Sequence, residues 1–397
     1  MKFFLKSSLL ILALVSYINA SSAITHRFID PNNCKTCHEE QFGMWKTSLH
    51  AISHENNNPL FRAAVRLVSS ETHKPYDEVL ISCANCHNPR LEIKNVDETF
   101  IIAQAFGIET ESTKKAQNAL EATHIQNGIS CYICHNVDNI SNIGVGYQNF
   151  SWTKGDEIAG PYDDPKNRAG FHTSVSREHF KSGNDLCLSC HQGKGLANEL
   201  STYNTGNEYL SSKDTQRCVD CHMGEPKQGI ISPLIKPNDA VKRDIRDHLF
   251  AGARNNKQLL TDAIDAEISI NSNEATLTVS NLISHNFPTG FSGRSLIAQI
   301  SYLDSDKKEI KKENIEFKKV YLNKMGVNTL SYSAQNLQSD TTLKPYESRE
   351  FKLLLPDNTK NISVSFIYYV LDPALQNRII VDDDKFTKPY IIKNLEF

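Results

Sequence analysis

The chain's ten cysteines fall into five C-x-x-C-H pentads and leave no cysteine over. The pentads are Cys34-Lys35-Thr36-Cys37-His38, Cys83-Ala84-Asn85-Cys86-His87, Cys131-Tyr132-Ile133-Cys134-His135, Cys187-Leu188-Ser189-Cys190-His191 and Cys218-Val219-Asp220-Cys221-His222. This is the attachment pattern for c-type haem, in which two thiols add to the haem vinyl groups. The adjoining histidine then becomes an axial iron ligand, here His38, His87, His135, His191 and His222. A C-x-x-C pair can also be half a zinc site or a redox disulfide. Neither rival requires a histidine directly after every second cysteine, so the pattern implies five covalently attached haem c groups.

The opposite face of each iron is less constrained. Of fourteen histidines, nine lie outside the pentads: His26, His50, His54, His73, His124, His172, His179, His248 and His285. Methionines number only four, Met1, Met44, Met223 and Met325. The supply favours bis-histidine irons and hence low potentials, since methionine ligation raises them. Each spare histidine has an ordinary alternative as a surface or hydrogen-bonded side chain. Context favours His50, just after the first pentad; His172, with His179 as a competitor; His248; and His285, which opens His285-Asn286-Phe287-Pro288-Thr289-Gly290 at a turn between strands. His124 is the fifth candidate, His54 can replace His50, and His26 and His73 remain spares.

The elements that must position these residues change character along the chain. Residues 24–238 carry every pentad, at intervals of 49, 48, 56 and 31 residues, too irregular for a solenoid. Short helices are expected at Glu39 to Ser53, from an Asn58 N-cap with Pro59 at the first helical position to about Ser69, at Ser112 to Thr123 and at Ser174 to Ser182. Asn139 to Arg168 reads as a loop. So little periodic apolar sequence would struggle to build a core, and the haems themselves would supply that apolar area. Residues 239–265 read as a helical bridge carrying His248.

From residue 266 the period becomes two, as in Ile268 and Ile270 or Leu277 and Val279. β-prone runs follow at Leu296 to Leu303, Ile315 to Tyr321, Glu350 to Leu355, Ile362 to Val370 and Arg378 to Val381. The expected fold is α+β and multidomain: a haem-packed domain of short helices and loops, then an antiparallel β-sandwich over residues 266–397.

Residues 1–23 read as a secretory signal peptide, with Lys2 and Lys6 before the apolar run Leu9 to Tyr17. Cleavage after Ala20 or after Ala23 fits, the latter placing Ser21 and Ala23 at the small-residue positions. The run is shorter than the roughly 20 residues that span a bilayer, so a periplasmic product with no transmembrane segment is expected. Lys plus Arg number 43 and Asp plus Glu 46, and this net charge of −3 has no basic block to suggest nucleic acid.

The first pentad followed by Trp45, Ser48, His50 and Ala51 resembles the multihaem cytochrome c family that includes cytochrome c-554. So do Asn58-Pro59-Leu60-Phe61, Gly128-Ile129-Ser130 before Cys131, Gly160-Pro161 and Cys218 to Met223. A β-rich tail opening with His-x-x-Pro-Thr-Gly is similar to one that some members carry. The resemblance implies an exported electron-transfer protein with closely packed, mostly bis-histidine haems, and makes His50 the distal ligand of a haem other than its neighbour's. A carrier working between redox protein partners, or within a membrane-associated redox complex, is expected more than an enzyme. The alternative is an oxidoreductase acting on a small nitrogen or sulfur compound at one haem with an open distal position. A third reading makes the sandwich a docking module.

Overall fold

The structure, a computed structural model, describes residues 28–141, 149–163, 172–194, 200–232 and 241–397. The expected signal peptide, His26, and parts of the loop expected between Asn139 and Arg168 lie outside them. So does the boundary placed at residues 238–239.

Pentad-bearing sequence forms short helices wherever capping and apolar spacing agree. The helix Pro59–Thr72 starts where Asn58 Oδ1 accepts from the Phe61 N–H at 3.0 Å, with Pro59 in the first turn. It buries Leu60, Ala64, Val65 and Leu67 along one face. With the helices Tyr76–His87, Glu98–Ala105 and Glu111–Leu120 it surrounds an apolar cluster that includes Val65, Leu80, Leu91, Phe100 and Leu120.

Several local expectations are corrected. The helix after the first pentad covers only Glu39–Lys46, so His50 stands in the turn beyond it. There the chain breaks helical geometry because it is bonded elsewhere: the Trp45 indole donates to the Ile129 carbonyl at 2.8 Å and the Ile129 N–H to the His50 carbonyl at 3.0 Å. The helix expected at Ser174 to Ser182 is a strand, Thr173–Ser176, then a single helical turn, Glu178–Ser182. That strand pairs in parallel with Glu157–Gly160. The expected loop also contains strands Val137–Ser141 and Asn149–Trp152, paired antiparallel.

The helical bridge is helical only at Lys257–Asp262. Before it come the strand Arg243–Ile245, paired to Lys227–Gly229, and an irregular run through Phe250, which has φ 46°. The carbonyls of Arg246, Leu249 and Ala251 are taken by the side chains of His248, Asn255 and His222 rather than by a helix ladder.

Beyond Ala263, strand alternation holds. A three-stranded antiparallel sheet has the order Ser348–Leu354, Glu274–Asn281, Ile264–Asn271. A six-stranded sheet runs Asn328–Thr329, Glu309–Leu322, Ser295–Leu303, Asn361–Tyr369, Tyr390–Glu396, with Asn336–Asp340 also paired to Glu309–Leu322. Arg378 to Val381 is not a strand; the last strand is Tyr390–Glu396. Every second residue of Ser295–Leu303 and Asn361–Tyr369 is buried. Leu277 and Val279 from one sheet and Ile300, Val364 and Phe366 from the other join one cluster, which also takes in Leu60, Ala64 and Leu67 of the helix Pro59–Thr72. Burying each such side chain contributes about 1.5–3 kcal/mol. The pentad-bearing half is thus packed directly onto the sheets.

Two buried carboxylates fasten that contact. Glu71 pairs with Arg378 at 2.5 Å and accepts from Asn323 at 2.8 Å and from Thr329 and Ser333. Glu208 pairs with Lys319 at 2.7 Å and accepts from Thr289.

Candidate haem centre

A cavity of about 1940 Å³ runs through the pentad-bearing half. Small-molecule sites measure roughly 300–1,000 Å³, so this one suits several large groups. All ten pentad cysteines and all five pentad histidines line it. None of the ten is in a disulfide. Cys34 is hydrogen-bonded to Cys131 and Cys187 to Cys218, which puts the first pentad beside the third and the fourth beside the fifth.

Four pentad histidines each face a second histidine across the cavity. Ring centroids are 6.3 Å apart for His38 and His172, 6.2 Å for His135 and His248, 6.2 Å for His191 and His50, and 6.4 Å for His222 and His285. A histidine nitrogen binds a first-row metal at about 2.0 Å and lies about 1.1 Å from its ring centre, so one iron between two imidazoles separates their centroids by about 6.2 Å. The residues therefore fit a haem iron with two axial imidazoles. Among the described residues no three or more His, Cys, Asp or Glu are gathered to hold an ion by themselves.

The pentad histidines are also oriented for this. The Nδ1–H groups of His38, His87, His135 and His222 point at the carbonyls of Ile231, Ser53, Ala159 and Ala251, at 3.2, 2.7, 2.7 and 2.6 Å. Opposite them, His248 and His285 use the Arg246 and Asn286 carbonyls, each at 3.0 Å. Donation from Nδ1 fixes the tautomer and leaves the Nε2 lone pair for metal. Burial holds three of these rings neutral, the ligand form: His135 falls to about 4, His50 to about 4 and His191 to about 3, each further lowered by neighbouring histidines. Phe250 packs on His50 at 4.5 Å and Phe180 stacks on His135 at 5.1 Å.

The second pentad differs. His87 stacks on Phe61 at 3.8 Å with planes 5° apart, and among the described residues no second histidine ring faces it. His124 does not supply one: its side chain is absent from the cavity lining and sits near Glu92 and Arg90. His54 is buried outside the cavity lining, its Nδ1 accepting from the Asn56 N–H at 3.2 Å. His179 lines the cavity against Phe180 without opposing a pentad histidine. His73 ends the helix Pro59–Thr72 at φ 57°, away from the cavity. Sequence reading missed the carbonyls that orient the pentad histidines, because a main-chain acceptor leaves no trace in residue type. It also missed Tyr203, Arg294 and Tyr332, which line the cavity from between and beyond the pentads.

Residues 33–136 match the family described as Cytochrome c554 and c-prime. The fold is similar to that of a penta-haem cytochrome c552 from Thermochromatium tepidum, with 18% identity and a TM-score of 0.71, over 93% of this chain and 98% of that one. No curated protein matches the chain. With its pentads gathered on one cavity, the chain resembles the multihaem cytochromes c, over residues 33–136 in sequence and over most of its length in fold.

Proposed function

We propose that the protein is a periplasmic pentahaem c-type cytochrome that passes electrons between redox protein partners. The observation that carries this reading is the set of four opposed histidine pairs at 6.2–6.4 Å. We read His172, His248, His50 and His285 as the distal ligands opposite His38, His135, His191 and His222. Covalently held haem supplies one-electron redox chemistry, and the protein supplies ligation, burial and fixed orientation. The ten cysteines hold the cofactors in place, and contact between pentads one and three and between four and five supports close packing. The carbonyl acceptors at Nδ1 of His38, His87, His135, His222, His248 and His285 keep those ligands in one tautomer and raise their basicity.

The domain reading has residues 24–238 as the haem domain, 239–265 as a bridge carrying His248, and 266–397 as a β-sandwich whose two sheets share one core. Residues 1–23 are the signal peptide, and among the described residues no helix is long and apolar enough to cross a membrane.

A second reading is favoured by His87, which among the described residues lacks an opposed histidine. An iron with a free distal position there would bind a small nitrogen or sulfur compound, with the other sites acting as electron relays. The spin states of the holoprotein decide between them. Four low-spin irons and one that is high-spin and binds carbon monoxide when reduced support the second reading beside the first. Five low-spin irons inert to carbon monoxide sink the second reading and keep the carrier. Several high-spin irons overturn the bis-histidine assignment itself. Cell fractionation tests the location, with recovery in the cytoplasm counting against export.

A further inference from the structure

Arg294 stands at the edge of the haem cavity, where the His285-to-Arg294 turn enters the strand Ser295–Leu303. Its Nη1 donates to the Thr289 carbonyl at 2.9 Å, and the Tyr368 phenol lies beside it. Its Nε is buried and has no hydrogen-bond partner. Among the described residues no carboxylate forms a salt bridge with it; the nearby Glu208 is taken by Lys319 at 2.7 Å. A guanidinium is always charged, and a buried charge without a counter-ion is costly enough that proteins seldom leave one. Arg90 is the comparison: it too has buried unpartnered nitrogens, but it is held between the rings of Tyr132 at 4.6 Å and Trp152 at 3.7 Å. Those π-faces provide for its charge. Around Arg294 the neighbours are instead phenols: Tyr368 shares a hydrogen bond with it, and Tyr203 and Tyr332 stand near it.

Two phenols accompany it. Gly290 has φ +85°, and a Cβ built there would lie 2.5 Å from the Tyr203 hydroxyl and 3.1 Å from Arg294 Nη1. The phenol and the guanidinium thus converge on one side of a residue that must lack a side chain. Tyr203 is also 5.3 Å edge-on from His191 and close to Cys86, while Tyr332 is close to Cys83 and Cys86. Each phenol carries an O–H that can donate a hydrogen bond. A second, polar cavity of about 20 Å³ touches Arg294, Thr289 and Lys319. It has room for about one water, which needs roughly 10–15 Å³. Arg294 and Thr289 line both cavities, so they stand between the polar pocket and the large one.

We infer that Arg294, Tyr203 and Tyr332 form a binding site for a single oxyanion between the second and fourth pentads. One fixed cation and two neutral donors suit a carboxylate or a planar inorganic oxyanion of nitrite size, because Arg presents paired N–H groups to two oxygens at once. The oxyanion is either a carboxylate of the cofactor or a small diffusible anion entering by the polar pocket. The inference rests on the reading of the large cavity as a haem site. A haem count by pyridine haemochromogen tests that reading separately, since a shortfall in wild type counts against haem loading whatever Arg294 does.

The test compares wild-type holoprotein with Arg294→Gln, Arg294→Lys and Tyr203→Phe. Each is titrated with nitrite in the oxidised state by Soret difference spectroscopy and then titrated electrochemically. With a diffusible anion, wild type shows a saturable response that Arg294→Gln weakens at least tenfold and Arg294→Lys largely restores. With a cofactor carboxylate, nitrite has no effect, but Arg294→Gln lowers the potential of one or two haems and Arg294→Lys restores it. Either result supports the site. Variants that keep the wild-type nitrite behaviour and all the wild-type potentials overturn it. Should Arg294→Gln not load haem, Arg294→Lys and Tyr203→Phe carry the same comparison.

Discussion

His285, at a turn between two strands of the β-rich half, lies opposite His222 of the fifth pentad, with ring centroids 6.4 Å apart and planes 20° apart. The two residues are 63 positions apart in sequence. On the proposed reading, a turn that belongs to the sheets supplies the distal ligand of the fifth haem site. His285→Ala should convert one low-spin haem of the holoprotein to a five-coordinate, high-spin form, read in the absorption spectrum as a new high-spin charge-transfer band. An unchanged spectrum would mean that His285 is structural only.

The four opposed pairs differ in ring orientation. Planes are 18°, 20° and 36° apart in the pairs of His135, His222 and His38, but 65° apart for His191 and His50. Axial ligand orientation is one way a protein alters haem electronics. Near-parallel imidazoles give ordinary rhombic low-spin EPR signals, and strongly crossed ones give a single signal of much larger anisotropy. The holoprotein should show one such signal, and it should vanish in His50→Ala. Four equivalent rhombic signals would contradict the crossed geometry.

Gly128 controls where His50 stands. It has φ +60°, and a Cβ there would meet the Ser53 hydroxyl at 2.5 Å and the His50 carbonyl at 2.8 Å. Gly128→Ala combines an unfavourable backbone region with a clash against main chain. It should cost about 2 kcal/mol or more of stability, seen as a lower urea midpoint. The anisotropic EPR signal assigned to His50 should weaken with it. Retention of both would mean that the turn rearranges freely around the added methyl.

Glu71 should be the most acid-sensitive contact between the two halves. Burial pushes its carboxyl up, but donors from Ser333, Thr329, Asn323 and Arg378 outweigh that and hold it below the usual carboxylate range. A depressed folded pKa contributes stability above the unfolded value of about 4.3, and that contribution is lost as pH falls through the folded pKa. Glu71→Gln should therefore lower stability at neutral pH by about 2–3 kcal/mol, because Arg378 loses its counter-charge while partly buried. The gap between variant and wild type should close towards pH 3. A gap independent of pH would show that the contribution is packing and not charge.

The ten thiols, the five adjoining histidines and the alternation of the later strands were legible in the sequence because each depends on spacing within a few residues. So were the Asn58 cap and the pool of spare histidines. Which spare histidine meets which pentad was not legible, since the opposed pairs join residues 134, 113, 141 and 63 positions apart. Chain closure over such distances is decided by packing of the whole molecule. His124 illustrates the limit: it stands only seven residues before the third pentad, yet the short helix Thr123–Gln126 holds it beside Glu92 and Arg90. His172, His248 and His285 are brought in by a strand end, an irregular run and a β-turn, none of which carries a local ligand signal. The sequence by itself determined how many cofactors the chain can attach and on which side. Tertiary structure alone decided what lies opposite each of them, because that face is built from backbone carbonyls and side chains distant in sequence that only the folded chain brings together.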